Sequence, residues 1–318
     1  MVEILKRSNG IECNNSRISI RLDPKLALNG INFTSHAHTD HLPSTRSTGT
    51  VLCTKETADI AKARGNLIQN TILQYNCTEM IPSGHVFGGC GLLFDDVFYT
   101  ADICTRNRPG IMGAKIPKCK TLITECTFGK PQFIFSPIEE MMEKVNQFIS
   151  KIYSRGIPVI LMGYEVGKAQ TLCKMFGHWK PLYYHERIKK INDVCRSLGA
   201  DIPDAISFND AEKSNAIQNG PWILVAPMLS STNSFVKRLK SEYGAITIGF
   251  SGWAAMSNNK LAHRCDKMFA YSDHCDYMEL LHIVEESCAK TVYTVHGFTH
   301  EFARTVRNTC GVDAYPLE

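Results

Sequence analysis

The segment Ser35-His36-Ala37-His38-Thr39-Asp40-His41 sets three imidazoles and a carboxylate within six residues. Imidazole and carboxylate together are ligands for zinc and related divalent ions. The preceding run, Ile31-Asn32-Phe33-Thr34, reads as a short strand. Alternation along extended backbone then puts His36 and His38 on one side, where both can reach one ion. Asp40 and His41 lie past the turn and can reach a second. More ligands follow downstream. His85 stands in the turn Pro82-Ser83-Gly84-His85, whose glycine lets the backbone come close. Asp102 ends the apolar run 97–101, where an acid can bridge two cations. Taken singly, His85 reads as a surface histidine and Asp102 as a cap or turn residue.

These side chains need a scaffold. Residues 17–22 alternate, with Ile18, Ile20 and Leu22 on one face, and end at Asp23-Pro24. Thr54 opens a helix through Arg64, with Gly65 as its stop. Residues 91–101 read as a hairpin around Asp95-Asp96, and 121–124 as a buried strand. The clearest helix signal starts at Ser136: Pro137 takes the first helical position and Glu139 completes a capping box. Apolar residues from Ile138 to Ile152 recur at helical spacing, and Gly156 stops the run. Residues 157–162 form a buried strand, followed by a glycine-containing turn and a helix. With further strands at 222–226 and 245–250, this order predicts a parallel sheet. Residues 277–288 read as an amphipathic helix and 291–295 as a strand. No flexible linker flanks the middle part, which favours an insertion over consecutive domains.

The chain has 318 residues, 44% of them hydrophobic, which suffices for two domains or for one domain with an insertion. A net charge of +4 permits a polyanionic partner without requiring one, and excludes a histone-like or acidic-tail protein. The longest apolar run, 222–229, carries Pro227 and falls far short of the roughly 18–20 residues that span a bilayer. Residues 1–7 show no signal-peptide core. A cytoplasmic protein without membrane attachment is expected. The 13 cysteines, with no C-x-x-C pair, read as reduced and mostly buried thiols.

The string His36-x-His38-x-Asp40-His41, then Gly84-His85, then the strand-ending Asp102, resembles the metallo-β-lactamase superfamily. Leu122-Ile123-Thr124-Glu125-Cys126-Thr127-Phe128-Gly129 resembles motif A of its β-CASP nuclease branch, with Glu125 as the acid. Ser272-Asp273-His274-Cys275-Asp276 resembles motif B, and Val295-His296-Gly297 resembles motif C. Within the branch, Gly167-Lys168-Ala169-Gln170 and Phe250-Ser251-Gly252-Trp253 are similar to the short prokaryotic ligase-associated exonucleases, also called mRNA 3′-end processing factor-like proteins. The resemblance runs over essentially the whole chain. It implies an α/β protein: a metallo-β-lactamase αββα sandwich from residues 1–130 and 261–318, with an α/β β-CASP domain inserted at 131–260. It implies two zinc ions, with manganese as an alternative. His36, His38 and His85 would hold one, Asp40, His41 and His296 the other, and Asp102 would bridge them. Asp23 would orient the histidine loop. Asp40, Glu125 and His274 would be catalytic.

The implied chemistry is hydrolysis of phosphodiesters in single-stranded DNA or RNA, by an exonuclease of DNA repair or RNA processing. A DNA ligase or helicase is the implied partner. Two close ions would supply a nucleophile at neutral pH for in-line attack on phosphorus and would neutralise charge on the phosphoryl oxygens. His274, held by Glu125, protonates the leaving oxygen. In the inserted part, Lys168 opens a helix and suits a backbone phosphate. The segment 163–169 is one residue short of a P-loop and lacks Ser or Thr after Lys168, which argues against ATP. Ser251 is a second expected contact, and Trp253 either stacks on a base or packs in the core. Lys189-Lys190 and Lys237-Arg238 read as solvated helix faces. His296 at motif C leans toward RNA, and the ligase-associated likeness leans toward DNA. Two other classes stand beside the nuclease: a small-molecule metallohydrolase of thioesters, lactones or lactams, which shares the histidine loop, and a non-catalytic nucleic-acid-binding subunit, as arises when such relatives lose ligands.

Overall fold

Five strands open the chain: β1 (Glu3–Arg7), β2 (Gly10–Asn14), β3 (Ser19–Leu22), β4 (Ile31–Phe33) and β5 (Thr50–Leu52). Helix α1 (Lys55–Ala63) follows, then β6 (Thr71–Ile72), β7 (Thr78–Pro82), β8 (Cys90–Phe94), β9 (Val97–Tyr99) and β10 (Thr121–Cys126). The middle carries α2 (Ile138–Tyr153), β11 (Val159–Gly163), α3 (Lys168–Phe176), β12 (Leu182–Tyr184), α4 (Glu186–Ser197), α5 (Phe208–Lys213), β13 (Ile223–Pro227), α6 (Ser234–Tyr243), β14 (Ile246–Phe250) and β15 (Lys267–Phe269). The chain closes with α7 (Tyr277–Ser287), β16 (Thr291–Gly297), α8 (Thr299–Cys310) and β17 (Asp313–Pro316). The computed structural model describes residues 2–16, 19–217, 220–256 and 265–317. Ile18 and the expected domain junction at 260 and 261 lie outside the described residues.

Two compact units result. The first is Met1–Asn107 with Ile111–Ile134 and His274–Glu318; the second is Arg108–Gly110 with Phe135–Asp273. The first unit holds two six-stranded sheets, ordered β1-β2-β3-β4-β5-β6 and β17-β16-β10-β9-β8-β7. Alternation along the strands of the second sheet decides its layers. Tyr99, Ile123 and Val295 point into a core shared with Ile20, Leu22, Phe33 and Leu52 of the first sheet. Phe98, Leu122 and Val292 point the other way, onto Leu280, Val284, Phe302 and Val306 of α7 and α8. The central strands β9 and β10 are therefore buried on both faces, and the C-terminal end is the place left for polar chemistry.

The second unit is a five-stranded sheet, β12-β13-β11-β14-β15, in which every pairing is parallel. Val159–Gly163 and Ile223–Pro227 are buried at every position, as strands covered on both faces must be. The predicted parallel sheet and the α/β class are both present. Helix α2 starts differently from the sequence expectation. Pro137 is the cap residue, with extended backbone, and no side chain caps the helix. Ser136 therefore sits one residue too early to form the expected box. Among the described residues no helix is long and apolar enough to cross a membrane. The cysteines are mostly buried, as expected.

Candidate metal centre

Strands β9, β10 and β16 are mutually parallel, so their C-terminal ends share one edge of the sheet. β7 is antiparallel to β8, and β8 to β9, so β7 ends at that edge too. His85 and Asp102 follow the ends of β7 and β9, and Glu125 and His296 are the next-to-last residues of β10 and β16. Local backbone then aims them. Gly84 has φ +65, and a Cβ there would lie 2.2 Å from the Cys104 carbonyl oxygen, so only glycine fits before His85. Ala101, just before Asp102, has φ 51. The β10–β16 register shifts so that Glu125 faces Val295 and Cys126 faces Gly297. The residue left over is His296, with φ 55, and this bulge turns its side chain out of the ladder.

Asp102 sits among the imidazoles. Its Oδ2 lies 3.6 Å from His36 Nε2, 3.5 Å from His41 Nε2, 3.6 Å from His85 Nε2 and 4.0 Å from His274 Nε2. His36 Nε2 is 2.9 Å from His38 Nδ1, which is 3.3 Å from His85 Nε2. Four donors about 2.0–2.1 Å from one tetrahedral zinc lie about 3.3–3.4 Å apart. The separations within His36, His38, His85 and Asp102 bracket that value, and one ligand atom from each falls within 4.8 Å of the others. Burial, followed by the neighbouring histidines, holds His36 well below its ordinary pKa. It is neutral at neutral pH, the form that ligates a metal. This donor set fits a divalent ion.

The other expected ligands gather less tightly. His41 Nε2 faces Asp102, and its ring centroid is 5.4 Å from that of His296. Asp40 reaches within 3.9 Å of His41 Nε2, but its carboxyl group is 82% exposed. Among the described residues the second close group is Asp102, Glu125 and His274, not Asp40, His41 and His296. The physical reason is local: Asp40 lies beyond the turn and faces water, and His41 is drawn toward two buried carboxylates.

One of those carboxylates is Asp23. Its Oδ2 accepts from the Ser35 hydroxyl at 2.7 Å and the Tyr99 hydroxyl at 2.8 Å, and lies 2.8 Å from His41 Nδ1. Its Oδ1 accepts from the Ser35 N–H at 2.7 Å. Asp23 thus holds both the start and the end of the histidine loop. Burial works against a charge on His41, but Asp102 and Asp23 outweigh it and raise its pKa to about 10. Burial would likewise raise Asp23, yet His41 and the Ser35 hydrogen bonds keep it below the usual range. Ser35, Tyr99 and Arg64 were invisible as site residues in the sequence. Tyr99 had one signal, a polar-tipped ring in an otherwise apolar strand. Arg64 donates from the end of α1 to the Ala37 carbonyl and the Thr39 hydroxyl, bracing the loop from 25 or more residues away.

Glu125 and His274 form the expected pair. His274 Nδ1 lies 2.8 and 3.0 Å from the two Glu125 oxygens, leaving Nε2 toward Asp102. Glu125 is fully buried and accepts from the Ile103 N–H at 2.8 Å. Burial alone would raise its pKa, but His274 and the hydrogen bonds lower it. The expected substrate contacts lie in the second unit and differ from expectation. Lys168 is 3% exposed, and its ammonium lies 3.3 Å from Asp273 Oδ2. It is neither a solvated lysine nor open to a passing phosphate. Ser251 is buried, and its hydroxyl accepts from the Trp253 N–H in a short 3-10 turn where Trp253 is half-buried.

No protein-family model matches the chain. Over 303 residues, 90% of this chain, it is 30% identical to a protein of Opitutus terrae named "Probable DNA ligase", and it covers 28% of that protein. It is 22% identical to "Endoribonuclease ysh-1" of Neurospora crassa, covering 38% of that protein with 73% of this chain. The chain thus spans between a quarter and two-fifths of these relatives. A solved protein of unknown function from Enterococcus faecalis shares the fold, with a TM-score of 0.62, 12% identity and 94% of both chains covered. With the site described above, these relatives make the chain a member of the β-CASP branch of the metallo-β-lactamase superfamily.

Proposed function

We propose that this chain is a metal-dependent nuclease that hydrolyses phosphodiester bonds of single-stranded nucleic acid, acting as an exonuclease in DNA repair or RNA processing. The observation that carries the reading is one buried carboxylate, Asp102, within 4.0 Å of four imidazole nitrogens, one of them on the glutamate-held His274. In this proposal the first unit is the αββα sandwich and the second the inserted β-CASP domain. His36, His38, His85 and Asp102 would hold one ion, and Asp40, His41 and His296 with Asp102 would hold a second. Zinc suits the nitrogen and oxygen donors, and manganese is the alternative. When bound, the ions supply a nucleophile at neutral pH and neutralise charge on the phosphoryl oxygens.

The chain's own groups do the rest. Asp23 fixes His41 so that Nε2 faces the centre. Glu125 fixes His274 through Nδ1 and favours its protonated form, so Nε2 can give a proton to the leaving oxygen. Trp253, half-buried, is the proposed contact to the nucleic acid, and Ser251 braces its turn. A DNA ligase or helicase partner and a cytoplasmic location belong to the same proposal; the ligase-named relative supports the association with a ligase. The test is 5′- and 3′-labelled single-stranded DNA and RNA, with zinc or manganese, against Asp40→Ala. Stepwise shortening from one end, lost in the variant, is expected. Turnover of a thioester or lactone with every labelled strand intact would overturn the reading.

A further inference from the structure

The loop that follows Asp102 grips the segment around His274 residue by residue. The Ile103 carbonyl accepts from the Cys275 N–H at 2.8 Å. Arg106 donates to the His274 carbonyl at 2.7 Å. Arg108 Nη1 lies 2.8 Å from Asp273 Oδ1, and Lys168 takes the other oxygen at 3.3 Å. The Ile103 N–H also holds Glu125, the partner of the His274 ring. One stretch, 102–108, therefore carries the central carboxylate and the anchors for three consecutive residues, 273–275.

The Asp273 end of this grip is costly. The side chains of Arg108, Asp273 and Lys168 are 0%, 2% and 3% exposed. Burying charges is costly, and apolar replacements of buried ion clusters are often as stable or more so. What such a cluster does supply is a single geometry, because two cations fix both oxygens of one carboxylate. The residue so fixed is the one immediately before His274, whose Nε2 lies 4.0 Å from Asp102.

We infer that Asp273 is a positioning residue for His274, held in place by Arg108 and Lys168, and that Lys168 serves the reaction through this cluster rather than through a phosphate. The inference rests on the proposed role of His274 as proton donor. A misplacement of about 1 Å can cost about 10²-fold in rate. Loss of proton donation shows only where the leaving group needs a proton.

The test compares an oligonucleotide with a p-nitrophenyl phosphodiester, whose leaving group departs unprotonated. Asp273→Asn is expected to lower kcat on the oligonucleotide about 10²-fold, with KM within about threefold and metal content unchanged. On the p-nitrophenyl ester it should lose less than about threefold. Lys168→Met removes one cation and keeps the Arg108 contact; it should show the same split, more weakly, and it decides the matter if Asp273→Asn does not fold. Lys168→Arg should restore the oligonucleotide rate. Equal losses on both substrates, or none on either, overturn the inference. His274→Ala separates the two levels. If it shows the leaving-group split and the cluster variants do not, only the positioning role fails. If it lacks the split, the proton-donor reading fails and the inference goes with it.

Discussion

Both units bury ionisable groups, and they settle them in opposite ways. In the second unit Asp273 is enclosed by Arg108 and Lys168, so opposite charges meet at salt-bridge distance. In the first unit, imidazole nitrogens converge on one another and on a single carboxylate oxygen. Such a cluster has more lone pairs than protons to share, and a cation is what completes it. The contrast teaches how to separate a buried polar cluster that fixes geometry from one that binds: the first is complementary within itself, and the second is complementary to something absent from the chain.

The sharpest way to break that contrast is Asp102→Ala. With the shared oxygen gone, metal content after dialysis should fall toward zero, and cleavage should drop by at least about 10³-fold. Elemental analysis beside a cleavage assay checks both. Retention of two ions per chain would show that Asp102 is not the common ligand.

His274→Ala comes next. It should keep the metal content of the wild type and lose about 10²- to 10⁴-fold in cleavage, the range general acid catalysis supplies. Metal loss in this variant would make His274 a ligand and move it to the binding side of the comparison. Asp23→Asn should act more mildly, weakening metal affinity about 10- to 100-fold by freeing His41 to turn. A competition titration with a chelating dye measures that shift.

Protonation sharpens the same point. In the metal-free protein Asp102 and Asp23, working against burial, raise the His41 pKa from 6.5 to about 10. A pKa raised on folding contributes stability that is complete below about 6.5 and is lost as pH climbs through about 10. Tm of the metal-free protein should therefore fall over that interval, and less so in His41→Gln. A metal binding at His41 must displace its proton, so affinity should rise with pH by about tenfold per unit between pH 7 and 9. Calorimetry in buffers of different ionisation enthalpy should count about one proton released. His36, already neutral, adds none.

Much of this centre was legible in the sequence because its ligands are crowded and chemically distinctive. The His36–His41 string carries a local signature, whereas Gly84-His85 and the strand-ending Asp102 read as ligands only in company with it. The Glu125–His274 pair, 149 residues apart, emerged only through resemblance to motifs. What sequence could not show is what holds these groups. Ser35, Tyr99 and Arg64 act through contacts set by sheet packing, and nothing in their neighbours' spacing marks them. Lys168 misled for the same reason: a lysine at a helix start looks exposed until the tertiary fold buries it against Asp273. In the fold, continuous apolar runs gave the parallel sheet of the second unit, and the run at 31–34 gave β4, whereas short strands such as β5 and β6, with three and two residues, depend on their partners.

The smallest predicted effect concerns two helix starts that look alike in the sequence and differ in the structure. Ser136-Pro137-Ile138-Glu139 has the spacing of a capping box, yet Pro137 is the cap residue of α2 and no side chain caps it. At α7 the box is real. Asp276 Oδ1 accepts from the Glu279 N–H at 3.0 Å, and Glu279 Oε2 accepts from the Asp276 N–H at 2.8 Å. Ser136→Ala should change stability by less than about 0.5 kcal/mol, whereas Asp276→Ala should cost about 1 kcal/mol. Urea unfolding monitored by helical circular dichroism reads both. Because Asp276, the cap of α7, lies two residues after His274, Asp276→Ala should also slow cleavage more than Ser136→Ala does. Equal costs would mean that the Ser136 signal operates in solution after all, and that the two helix starts do not differ as described.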